Sequence, residues 1–195
     1  MQTRGRLFSD GLFFHIAMTD FKDQDDLLRS KQVLEVFAIA SEYCLFIDKI
    51  EQTTPDKALL FLQSILPALY LKGAMLPNVE VQDESANERF VTEEEYETLR
   101  YRLAQFFDTR DFFSTVDLSE GSIESVPTSL SELLADIYTD LKDFLILYAK
   151  ESRSAKENAV AACHYYYHLG WGSRIVAALP QIHHLVASSL LADED

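Results

Sequence analysis

His164 and His168 stand four residues apart in the stretch His164-Tyr165-Tyr166-Tyr167-His168-Leu169-Gly170-Trp171-Gly172. On a helix that spacing puts both imidazoles on one face, where they could hold a metal ion together. Two ligands do not make a stable site; a third is needed, with outer groups that orient the rings. His183 and His184 could supply it if the two segments pair antiparallel. The competing readings are partly exposed histidines, or a surface covered by another subunit.

The aromatic residues of the same stretch admit two readings. Helical geometry turns Tyr165 and Tyr166 toward the apolar seam and Tyr167 elsewhere. With Val160 and Cys163 the segment is apolar over most of its circumference. Such a helix is either central in its own domain or part of an interface, where aromatic residues are enriched. Trp171, the single tryptophan, falls on the apolar stripe of the following helix and is expected to be buried as an anchor.

Glu132, Asp136, Asp140 and Asp143 resemble a carboxylate array for two-metal chemistry. At 100° per residue Glu132, Asp136 and Asp143 point away from the apolar stripe of their helix, and Asp140 alone flanks it. The Glu-x-x-His pair that ferritin-like di-iron bundles need is absent. These residues read as a solvated acidic face. No Gly-rich phosphate loop, Gly-x-Ser-x-Gly elbow or His-Glu-x-x-His motif occurs either.

The elements that must position these residues are helices. Six segments are predicted, over about 30–51, 54–75, 92–107, 129–150, 154–169 and 171–190. Thr54-Pro55-Asp56 opens the second, and Pro67 in its middle predicts a kink. Thr92/Glu95, Ser129/Glu132 and Ser154/Glu157 read as capping boxes. The fourth segment has the clearest stripe, Leu130, Leu134, Ile137, Leu141, Phe144 and Tyr148. Pro180 should bend the sixth. Residues 78–91 and 108–127 read as acidic linkers, since 80–125 holds thirteen Asp/Glu against four Lys/Arg. That much charge belongs on a surface. The expected fold is all-α: one bundle of about six helices with no sheet. The domain spans 29–191, between an irregular N-terminal extension (1–28) and an acidic tail (192–195).

Composition bounds the partners. A chain of 195 residues with 48% hydrophobic residues can bury its own core. A formal charge of −15 disfavours nucleic acid and anionic membrane surfaces. No apolar run reaches the roughly 18 residues that would span a bilayer. Cys44 and Cys163 lie in apolar helical patterns without a Cys-x-x-Cys partner, and read as small buried hydrophobes in a reducing cytoplasm. Residues Arg4–Met18 make a poor signal peptide; they read as a dispensable tail or as sequence upstream of a true start at Met18.

Several strings recur together: Glu42-Tyr43-Cys44, Leu66-Pro67-Ala68-Leu69-Tyr70-Leu71-Lys72, Leu134 through Asp143, and Trp171-Gly172 followed by Ala177-Ala178-Leu179. As a set over about residues 30–190 they resemble a bacterial family catalogued as a domain of unknown function, common in Bacteroides-like bacteria. The resemblance implies an all-helical cytosolic protein and brings no catalytic residues with it. Members often carry His directly before the Trp-Gly pair; here Gly170 takes that place. The functional expectation is a non-enzymatic protein-interaction module whose partner is another protein or a second copy of the chain, with no cofactor. The alternative is a small-molecule or metal-binding bundle centred on His164 and His168, with Tyr165, Tyr166, Tyr167 and Trp171 as interaction or structural residues.

Overall fold

Leu130, Leu134, Ile137, Leu141 and Phe144, spaced three and four apart, give one helix an inward stripe long enough to meet four others. The computed structural model describes residues 25–117 and 124–192. Over these the chain forms six long helices: α1 (Lys31–Asp48), α2 (Pro55–Gly73), α3 (Glu93–Phe107), α4 (Leu130–Ala149), α5 (Arg153–Leu169) and α6 (Trp171–Ala192). Helix α4 is the central one and packs against α1, α3, α5 and α6. Helix α2 closes the bundle against α1 and α6. Polar tethers fix this packing: the buried Tyr43 hydroxyl of α1 donates to the Leu134 carbonyl of α4 at 2.8 Å. The fold is all-α in its body, as the periodicity predicts. Both α2 and α6 run on through their exposed prolines, Pro67 and Pro180. Residues 1–24, most of the expected extension, and 193–195, most of the expected tail, lie outside the described residues.

One element corrects the expectation of no sheet. Strands β1 (Phe112–Asp117) and β2 (Glu124–Ser129) form an antiparallel hairpin in which Phe112 pairs with Ser129 and Thr115 with Val126. The acidic residues of 108–127 mask a Phe-Phe-Ser-Thr-Val run with strand propensity. The hairpin is pinned at its base. Asp111, 1% exposed, accepts from the Ser131 amide at 2.7 Å and the Ser131 hydroxyl at 2.8 Å.

The predicted caps meet three different outcomes. Thr92 and Glu95 form a complete capping box at the start of α3. Ser129 accepts from the Glu132 amide at 3.2 Å, but Asp111 rather than Glu132 completes that cap. Helix α5 begins two residues earlier than expected, capped by Ser152 rather than Ser154. Glu157 is therefore released from any capping role and points inward, 1% exposed.

Candidate functional site

Gly170 separates α5 from α6, and the aromatic stretch that spans it leaves no room for a Cβ at Gly170 or Gly172. Trp171 is fully buried, as expected of an anchor, and its Nε1 donates to the Cys163 carbonyl at 3.1 Å. The Tyr167 ring lies 5.2 Å from the indole and 5.3 Å from the Tyr70 ring of α2. Burial and a hydrogen bond to Tyr70 push the Tyr167 hydroxyl up to about 12. A Cβ on Gly172 would overlap the Tyr167 carbonyl, so only glycine lets α6 begin this close to α5.

The inward face of α5 differs from the one hydropathy assigns. Tyr167 is 8% exposed, Tyr166 half-buried and Tyr165 56% exposed. The buried rows are Ala155, Ala159 and Cys163 with Val160 and Tyr167. Two polar residues bring that face inward. The Gln82 amide donates to Glu157 at 3.2 Å, and the Asn158 amide group donates to the Asp83 carbonyl at 2.7 Å. Both clasp the linker that precedes α3, and a wheel of apolar residues alone cannot register them.

The histidines form a pair and no more. The His164 and His168 rings lie 5.2 Å apart, edge to face. Partial burial, then the neighbouring His168, lowers the His164 pKa from its ordinary value. His183 is engaged elsewhere, with its Nδ1 3.0 Å from Gln63 Nε2 across the α2–α6 seam. Among the described residues no group of three His, Cys, Asp or Glu side chains is placed to hold an ion.

The carboxylates of α4 overturn the solvated-face expectation. Asp143 is 6% exposed and accepts from the Phe90 and Val91 amides at 2.7 and 3.0 Å, while Arg89 Nε lies 2.7 Å from its other oxygen. Arg89 also reaches Asp140 at 3.4 Å, with its guanidinium 5.1 Å over the Tyr166 ring. Asp136 accepts from the Tyr96 hydroxyl at 2.9 Å and from Arg174 Nε at 2.8 Å. Asp140 meets the Trp171 amide at the start of α6, and burial pushes its carboxyl up to about 6 despite Arg89 beside it. A Cβ on Gly170 would come within 2.5 Å of Asp140 Oδ2, so glycine is what admits this carboxylate to the helix end. Only Glu132 of the four stays exposed.

These groups border an open cleft of about 350 Å3 between the pre-α3 linker, α4 and the first turn of α6. Arg89, Tyr96, Thr139 and Arg174 line it, and the sequence reading singles out none of them for chemistry. One signal was available. Arg174 is the sole charged residue between Glu157 and Asp193, and its isolation in an apolar run marks it for a closer look.

A second surface is defined by what it lacks. Residues 58–71 of α2 and 175–191 of α6 contain no Asp, Glu, Lys or Arg. The two helices pair antiparallel, with Gln63 against His183 and Asp56 3.5 Å from Ser189. Continuing that register sets Pro67 level with Pro180, and Tyr70 level with Val176. Leu60, Leu71, Val176 and Leu190 stand on the outer side, at 49%, 60%, 52% and 60% exposure. Leu60 and Leu190 border one shallow groove of about 120 Å3.

Comparison with known proteins agrees with this architecture. The family model described as Domain of unknown function (DUF5063) matches residues 28–188. The chain belongs to that family. The DUF5063 match takes in the hairpin and the cleft as well as the helices. The crystal structure of protein BF1032 from Bacteroides fragilis is similar, at 31% identity and a TM-score of 0.73, over 82% of this chain and 94% of that one. No curated protein matches the sequence. Among the described residues no helix is long and apolar enough to cross a membrane.

Proposed function

We propose that this DUF5063 protein is a non-enzymatic interaction module of the bacterial cytoplasm that pairs with a second copy of itself through the outer face of α2 and α6. The observation that carries this reading is the charge-free run on both helices, 58–71 and 175–191, in a chain whose net charge is −15. Interface cores are depleted of charge and enriched in apolar and aromatic side chains. Two copies at −15 repel each other over their acidic surfaces, and this face is where they can meet without opposing like charges. Seventeen helical residues extend about 25 Å, and two packed helices about 20 Å across, a footprint at the lower end for stable association. The similarity to the Bacteroides fragilis protein supports a bacterial setting, and the buried free thiols of Cys44 and Cys163 suit a reducing one.

The test is the mass of the untagged chain in solution. Light scattering at micromolar concentration should give twice the chain mass. Leu71→Glu and Val176→Glu, both at exposed positions, should return one chain mass with unchanged helical circular dichroism. A wild-type mass of one chain across that concentration range overturns the reading.

A further inference from the structure

We infer that the cleft between Arg89 and Arg174 binds a metabolite-sized oxyanion, a carboxylate or a phosphate. Both arginines are fixed before any ligand arrives. Arg174 is held through Nε by Asp136 at 2.8 Å, and Arg89 by Asp143 at 2.7 Å and Asp140 at 3.4 Å. Aspartates that grip a guanidinium at one edge leave its other donors aimed and immobile, which is how arginine forks are readied for oxyanions. The terminal nitrogens of Arg174 have no partner among the described residues, and its side chain is 44% exposed. Arg89 is 49% exposed and is further held over the Tyr166 ring.

Apart from the exposed Glu93, the remaining hydrogen-bond capacity of the cleft favours a ligand that accepts. Asp136 and Asp140 are 28% and 13% exposed, and each already receives two donors. A volume of about 350 Å3 falls at the small end of metabolite pockets. Arg174 and Val176 are two residues apart, about 200° around α6, so this site faces away from the proposed pairing surface.

Calorimetric titration of the full chain in low-salt buffer at neutral pH, free of other oxyanions, tests the inference with inorganic phosphate and with citrate separately. Saturable binding of at least one probe is expected, and the stronger of the two identifies phosphate or carboxylate as the group recognised. Arg174→Lys keeps a charge facing Asp136 but loses the fork, and should weaken binding by about tenfold. Arg89→Lys keeps a charge beside Asp143 at a half-exposed position, so it should fold as wild type and also weaken binding. Lys57→Gln, exposed on α2, should change nothing. No saturable binding of either probe to wild type, or wild-type affinity in both cleft variants, overturns the proposal.

Discussion

Gly73 on α2 lies against the Trp171 indole so closely that a single methyl group at its Cα would overlap the ring. Tyr167 closes the other side of the same contact, so neither aromatic can give way without moving α5 or α6. Gly73→Ala should therefore destabilise the protein by about 1–3 kcal/mol through overpacking. The opposing gain in helix propensity is at most about 1 kcal/mol. Urea unfolding measures the difference, and a variant at least as stable as wild type would contradict the packing.

Asp143 should be a costly carboxylate to remove. It satisfies two backbone amides, Phe90 and Val91, and anchors Arg89 from a position 6% exposed. Asp143→Ala strands both amides, for about 2–4 kcal/mol, while Arg89 keeps Asp140 and solvent. The loss should be local first: amide exchange at 87–91 should accelerate before that of α4. Uniform acceleration across the chain would show that Asp143 holds the whole fold rather than the linker.

How much of this could be read from the residues alone depends on the range of the contacts. The α4 stripe, the Thr92–Glu95 cap and the burial of Trp171 were legible because each follows from neighbours within two turns. The burial of Asp143 was not, because the amides that justify it lie about fifty residues away. Hydropathy counts a carboxylate as surface unless its partner is known, and the partners of Asp136 and Asp140 come from other elements or their linkers, as does the Gln82 amide that meets Glu157. The same blindness rotated α5, where Glu157 and Asn158 face inward and carry Tyr167 with them. The hairpin was hidden by its charge, although Phe112 through Val116 has the composition of a strand.

Asp140 gives the protein a defined pH dependence. Its carboxyl is raised from 3.8 to about 6, chiefly by burial, with Asp136 and Asp143 adding to the rise and Arg89 and the Trp171 amide opposing it. Between those two values the folded chain holds a proton that the unfolded chain has released, so this contribution to stability is largest below about pH 4 and declines as pH rises through 6. Two units amount to about 3 kcal/mol at most. Asp140→Asn cannot ionise and keeps an acceptor for the Trp171 amide. The variant should gain on wild type between pH 4.5 and 7.5 in thermal melts. Parallel pH profiles for the two proteins would refute the assignment.

The histidine pair sets the last expectation, which concerns metal. His164 and His168 offer two ligands on one face of α5, and no third His, Cys, Asp or Glu among the described residues converges on them. A tetrahedral zinc site needs three or four protein ligands before its binding energy stabilises a fold. Chelator should therefore leave the melting temperature of the purified chain unchanged. Added zinc should bind weakly and reversibly, and His164→Ala with His168→Ala should remove that binding without affecting stability. A melting temperature that falls on chelation and recovers with zinc would mean that these imidazoles find a further ligand, either from the residues outside the described structure or from a second copy of the chain.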